Sequence, residues 1–203
     1  GTISKIEYGE RRRIETILID LSDQEETNTQ QSFSLEDIDS LSTESTVDAM
    51  KSGCLFSLIR QRPFNNVANP NQLPRDIFIS GWNTAPLSVD LDLALRGRRS
   101  QFQAGIKVLN KLTKGSVHLS YYENTLSETL LDIEDAISHS LTGPHPAGNV
   151  GIQIHHIAPI LSGEHVWIVN AQDVVRIGHF FLTGEFDTRL MISIGGPSVK
   201  KPC

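Results

Sequence analysis

The sequence predicts an α/β fold: a Rossmann-like parallel sheet with helices on both faces, flanked by partial β elements of neighbouring domains. Three observations point there. From Asp76 to Leu182, short β-branched runs alternate with helical apolar stripes, and strands that alternate with helices build parallel sheets. With 203 residues, 38% hydrophobic and 21% charged, the chain is long enough for one sizeable core. Each end of the sequence carries a β pattern, a two-run hairpin at the start and a lone run near the end, that is expected to belong to a sheet lying mostly outside the chain.

Residues 1–21 read as a β-hairpin, in which Ile3 and Ile6 lead to a turn at Tyr8-Gly9-Glu10 and Ile14, Ile17 and Ile19 follow. A lone hairpin is marginal, so this one is expected to join a sheet lying mostly outside the chain. Residues 22–32 are polar and read as a linker. Residues 33–188 form the α/β segment. Ser34 with Asp37 resembles a capping box, and Val47 with Met50 gives a second short helix that stops at Gly53. Asp76–Ser80, Ser116–Tyr121 and His165–Val169 are strands. The longest helix is predicted over Arg98–Lys114, with Phe102, Ile106, Leu109 and Thr113 on one stripe and Gly115 as its stop.

Ser127 is expected to cap a further helix carrying Leu130, Ile133, Ile137 and Leu141, and Asn170 with Asp173 another that ends at Gly184. Residues 149–158 fit either a strand or a helix, and Pro146 near the start favours the helix. Leu190–Ile194 reads as a strand at the start of a segment covering 189–203.

Composition excludes several classes. No apolar run approaches the ~20 residues that span a bilayer. The chain opens on Gly1 without a charged-then-apolar leader, and the missing initial Met suggests a piece cut from something longer. Its formal charge of −6 is uneven: nine Asp/Glu and no Lys/Arg lie between Asp20 and Asp48, a tract that reads as solvated linker. No basic stripe with interleaved aromatics appears, so no nucleic-acid partner is expected. The two cysteines, Cys54 and Cys203, lack metal spacing and suit a reducing compartment.

No metal, catalytic or cofactor-binding set emerges. His145, His155 and His156 are the densest histidines, but adjacent side chains diverge and no Cys or carboxylate joins them at ligand spacing. The turns Ser80-Gly81-Trp82-Asn83, Tyr122-Glu123-Asn124-Thr125 and Asn170-Ala171-Gln172-Asp173 lack the glycine-rich pattern that brings backbone N–H groups to a phosphate. Cys54, in Gly53-Cys54-Leu55-Phe56, reads as a buried, inert thiol. Two loops stand out: Arg60-Gln61-Arg62-Pro63-Phe64 sets two cations beside an aromatic, and Thr142–Gly148 frames His145 and Pro146 in glycine and proline.

Those loops carry a family resemblance. Ser52–Phe64 resembles the SGLW-x-x-L-R-x-RPF stretch of the A-subunit family of the bacterial sodium-translocating NADH:quinone oxidoreductases, and Gly143–Gly148 matches its GPHPAG loop. Phe102-Gln103-Ala104-Gly105, Leu109, Leu112–Gly115 and Val117-His118-Leu119 are similar to its central helix and next strand. Trp167, Gln172-Asp173-Val174, Gly178, Thr183-Gly184, Gly195-Gly196-Pro197 and Val199–Pro202 continue in register. Trp82 and Ala85 depart from the Met and Asn of the family's turn, and Asp20–Gln31 has no clear counterpart.

The resemblance implies a peripheral subunit on the cytoplasmic face of the bacterial inner membrane, in a multi-subunit complex that passes electrons from NADH to ubiquinone and pumps sodium. It implies no self-contained catalytic site and no flavin or iron–sulfur cluster, with ubiquinone as substrate of the complex and the other subunits as partners. The family layout makes residues 1–21 the end of a biotinyl-lipoyl-like domain, 33–188 a Rossmann-like domain and 189–203 the start of a β-grasp domain. Arg60, Arg62, Phe64, His145 and Pro146 are the quinone-contact candidates. The rival expectation is an FMN- and NADH-binding dehydrogenase subunit of the complex I type. Against it, the stretch that is glycine-rich in that relative keeps only Gly53 here, followed by Cys54-Leu55-Phe56-Ser57-Leu58-Ile59.

Overall fold

The computed structural model describes residues 1–22 and 29–199. At the amino end, β1 (Thr2–Tyr8) pairs antiparallel with β2 (Ile14–Asp20) as a two-stranded sheet of its own. Its Ile3, Ile6, Ile14, Ile17 and Ile19 are all exposed. Part of the expected linker lies outside the described residues. The rest is anchored: Gln30 N–H donates to Gly184 O (2.8 Å), Phe33 N–H to Phe181 O (2.7 Å), and the Phe33 and Phe181 rings sit 5.8 Å apart.

The acidic tract is not all linker, since residues 35–52 fold as α1 (Leu35–Ser40) and α2 (Thr43–Ser52). Ser34 and Asp37 close the expected capping box, and Gly53 ends α2 with Val47 and Met50 buried. A second sheet has six strands in the order β4-β3-β8-β5-β6-β7. These are β3 (Ile59–Arg62), β4 (Asn66–Val67), β5 (Ile77–Ser80), β6 (Val117–Tyr122), β7 (Ile137–Leu141) and β8 (Val166–Asn170). The four from β8 to β7 run parallel, while β3 is antiparallel to both β8 and β4. Among the helices are α3 (Leu91–Ala94), α4 (Arg99–Asn110), α5 (Val150–Ile157) and α6 (Ala171–Thr183).

Alternation along the central strands divides the core. Ile77, Ile79, Trp167 and Val169 join the large cluster built on α2, α4 and α6, whereas Phe78 and Val166 pack with Ile154 of α5. Helices therefore cover both faces. Helices α4 and α6 meet at glycines: a Cβ on Gly178 would lie 1.7 Å from Gln101 O, and one on Gly105 2.2 Å from Val174 O. Asn170 caps α6 and Gly184, at φ 76°, ends it. Asp173 does not complete a capping box; its carboxylate accepts from Arg176 Nη1 at 2.8 Å.

Several expectations need correcting. The helix predicted from Ser127 to Leu141 is a single turn, with Leu130 and Ile133 buried, followed by β7. A spacing of four residues keeps Ile137 and Leu141 on one face of a strand as well as of a helix, so periodicity could not separate the two. What replaces the helix is a row of side chains along α4. Arg99 donates to Glu128 O, Leu131 O (2.9 Å) and Asp132 O (2.7 Å), Gln103 to Glu134 O (3.0 Å), and Asn110 to Asp135 O. Those bonds satisfy carbonyls that a helix would have paired internally.

The long helix stops at Asn110, four residues early, because Thr113 Oγ1 bonds Pro74 O and Arg75 O (3.2 and 2.9 Å) and turns the chain into β6. Leu190–Ile194 is not a strand. No backbone partner lies beside it among the described residues, and the Gln172 side chain holds Met191 instead, donating to its O (3.0 Å) and accepting from its N–H (2.9 Å). Cys54 is exposed rather than buried, at φ 55° where α2 turns toward β3, and Cys203 lies outside the described residues.

Candidate functional site

The chain winds outward from β5 through α4 to β6 and β7, then returns on the opposite face through α5 to lay β8 against the free side of β5. Strand order reverses there, and open α/β sheets build ligand sites at the carboxyl ends of such strands. A crevice of about 600 Å³ opens at that place, lined by Ser80 of β5, Ile168–Asn170 of β8, and Asn149 and Val150 at the start of α5. Leu58, Val89, Leu91 and Leu190 give it apolar walls, and Asp173 and Arg176 close one side as an ion pair. Burial raises the Asp173 carboxyl above its ordinary range, against the pull of Arg176.

Two of the five sequence-predicted residues meet in this crevice. Arg60 does not sit in a loop as expected; it is in β3, where pairing sets it beside Ile168. Among the described residues its side chain makes no hydrogen bond or ion pair. His145 arrives on the loop between β7 and α5, its Nδ1 3.1 Å from Thr84 Oγ1. That hydroxyl also accepts from Gly148 N–H at 3.0 Å, so Thr84 ties the loop down at His145 Nδ1 and Nε2 is the ring nitrogen left without a protein partner among the described residues.

The other three lie outside the crevice. Arg62 shares the face of Arg60, but the antiparallel direction of β3 carries it beside Val166, toward the amino end of β8, and its Nε is buried without a partner. Phe64 is 82% exposed in the following turn. Pro146 precedes α5 rather than opening it: its carbonyl accepts from Asn149 N–H (2.7 Å), and Asn149 is the N-cap.

Three asparagines that sequence reading did not single out also line the crevice. Asn83 Oδ1 accepts from Ala85 N–H (2.9 Å), Asn149 Oδ1 from Gly151 N–H (2.9 Å), and Asn170 Oδ1 from Gln172 N–H (3.0 Å). Each amide thus has its NH₂ left to offer. The signal that could have found two of them is their position immediately before a helix, where Asn is a preferred cap.

The nearby glycines serve chain packing. A Cβ on Gly81 would lie 2.8 Å from Ser120 O, and one on Gly148 2.4 Å from Thr84 N. Sequence reading also missed a histidine pair, His118 buried and His139 half-buried. His118 Nδ1 and His139 Nε2 are 3.0 Å apart, His118 stacks on Phe78, and Asp76 Oδ1 lies 3.9 Å from its Nε2. Among the described residues no three His, Cys, Asp or Glu side chains are grouped to hold a metal.

The family model of the NqrA second alpha/beta domain matches residues 41–186. Three curated relatives are named as the A-subunit of Na(+)-translocating NADH-quinone reductase. The protein of Rhodopirellula baltica is 38% identical over the whole chain and 44% of its own length, that of Marinomonas sp. 36% over the whole chain and 44%, and that of Histophilus somni strain 2336 33% over the whole chain and 45%. The chain thus spans a little under half the length of these relatives. It belongs to the NqrA family, and residues 41–186 are the second α/β domain of that family.

Proposed function

We propose that this chain is part of the NqrA subunit of a sodium-pumping NADH:quinone reductase, where it acts as scaffold and as one wall of a quinone site, with ubiquinone as the substrate of the complex and the other subunits as partners. The name shared by its relatives supports the assembly. The observation that carries the quinone contact is the crevice, which brings Arg60 and His145 together over apolar walls at the carboxyl edge of the sheet. A peripheral position on the cytoplasmic face of the membrane agrees with the helices described, none of which is long and apolar enough to cross a bilayer.

The subunit holds neither FMN nor NADH in this reading. What supports it is that Gly81 and Gly148 are filled against by their own chain, and that branched Leu58 lines the crevice where close backbone approach to a cofactor would need a glycine. Replacing Arg60 or His145 by Ala in the assembled complex should raise the quinone KM severalfold while subunit incorporation is unchanged. Wild-type quinone kinetics in both assembled variants would remove the quinone contact. Stoichiometric FMN or NADH binding at low micromolar concentration would instead favour a complex I type dehydrogenase subunit.

A further inference from the structure

The polar lining of the crevice is unbalanced in one direction. Arg60 is a cation with no carboxylate partner among the described residues, since Asp173 is already taken by Arg176. His145 has its Nε2 side turned to a ligand, because Thr84 occupies its Nδ1. Asn83, Asn149 and Asn170 each hold their carbonyl oxygen on a backbone N–H group, which turns the amide so that its NH₂ donors are left over. Apart from the Ser57 and Ser80 hydroxyls, which donate to Cys54 O and Trp82 O, the polar side chains of the site offer N–H groups and one uncompensated positive charge, and its one carboxylate is engaged.

Resting on the quinone reading above, we propose that the crevice selects the anionic forms of quinone-type rings over neutral ones, with Arg60 as the residue that sets the preference. A donor-lined pocket leaves its N–H groups unpaired against a ligand that offers donors, and pairs them with one that offers acceptor oxygens. A negative oxygen gains further, because charge-assisted hydrogen bonds are shorter and stronger than neutral ones and guanidinium is the strongest donor present. The apolar walls at Leu58, Val89 and Ile168 fit the faces of a flat ring. The occupant is therefore a ring whose oxygen carries negative charge, which describes a reduced, deprotonated quinone or an acidic hydroxyquinone better than an oxidised neutral quinone.

The test compares two ligands with the same ring: 2-hydroxy-3-methyl-1,4-naphthoquinone, ionised at neutral pH, and its neutral methyl ether. The methyl group at position 3 limits addition of the exposed Cys54 thiol. Dissociation constants are measured by titration calorimetry on the full-length protein. The anion should bind about tenfold more tightly than the ether, the gain expected from one hydrogen bond to a charged group. Arg60→Gln should abolish that ratio and Arg60→Lys should keep most of it. Arg62→Gln, on the same strand face but outside the crevice, should leave it unchanged. Thermal melts of the Arg60 variants check that changing this exposed side chain has not altered folding. Equal binding of the two ligands, or a ratio that survives Arg60→Gln, overturns the charge preference and leaves the quinone contact standing. Failure of both ligands to bind the wild-type protein overturns the two together.

Discussion

The two faces of the six-stranded sheet are built to different standards. On one, α4 and α6 press together through Gly105 and Gly178 over a continuous cluster that includes Phe102, Ile106, Trp167 and Phe181. On the other, the eight residues of α5 cover Phe78 and Val166 with one fully packed side chain, Ile154, and the half-buried Val150 and Ile157. The thinly covered side also carries the unusual chemistry: Arg60 and Arg62 on β3, the His118–His139 pair, and the loop that brings His145 to the crevice. One face holds the fold together, and the other has room for ligand and charge. Polar groups are expensive where packing is tight, so they collect where it is loose.

Equivalent truncations should expose that contrast most strongly. Ile106 is fully buried on α4 among neighbours that cannot move inward, so Ile106→Ala should cost about 4 kcal/mol, in the upper part of the range for such cavities. Ile154→Ala on α5 should cost about 2 kcal/mol, because a helix packed on one side only can settle into the space. Chemical denaturation of both variants measures the difference. Equal losses would mean that the two faces are equally rigid.

A glycine pair makes the same comparison in the opposite sense. Alanine in place of a helical glycine ordinarily gains up to about 1 kcal/mol. At Gly178 the added carbon meets Gln101 O at 1.7 Å, backbone that cannot swing away, so Gly178→Ala should show a net loss of about 3 kcal/mol. At Gly151 of α5 the nearest atom is Asn149 Oδ1 at 3.4 Å, and Gly151→Ala should stabilise by about 0.5 kcal/mol. A shift of the same sign in both melting temperatures would contradict this account of the helix contact.

The same division explains what could be read from sequence. Strands β5, β6 and β8 and helix α6 are legible because burial on both sides of a parallel sheet leaves β-branched runs, and because Ser34, Asn170 and Gly184 mark helix ends through local bonds. The segment 127–136 is not legible, since Arg99, Gln103 and Asn110 satisfy its carbonyls from 25 to 33 residues away in sequence. Strand β3 is hidden in the same way: its four residues include two arginines and a glutamine, and only pairing with β8 makes them a strand. In the crevice, Arg60 and His145 could be picked out as odd loops, but nothing local says that β3 delivers Arg60 and withholds Arg62. The register of an antiparallel pair decided that.

The smallest effect expected is a pH slope from the thinly covered face. Burial is the first cause that lowers both His118 and His139 below the usual histidine value; for His118, His139 and Arg75 add to it and Asp76 opposes it. The hydrogen bond between the rings acts in the same direction against a second proton, since only one of the facing nitrogens can carry a hydrogen. The charged groups around the pair are Asp76, which accepts from Arg75 Nε at 2.7 Å, and Glu164, which pairs with Arg75 in turn. With the folded values depressed, the unfolded chain binds more protons as pH falls past about 6.5, so the contribution of the pair is complete above that pH and is lost below it. Asp187, held down to about 2 by Arg189, titrates far below this window. Asp173 has the opposite sign, because its carboxyl is raised toward the neutral form. Melting temperatures taken between pH 7.5 and 5.5 should therefore fall in the wild-type protein and fall less in His139→Gln, where one titrating ring is gone and an amide can still donate to His118 Nδ1. Parallel slopes in the two proteins would place the pH dependence elsewhere in the molecule.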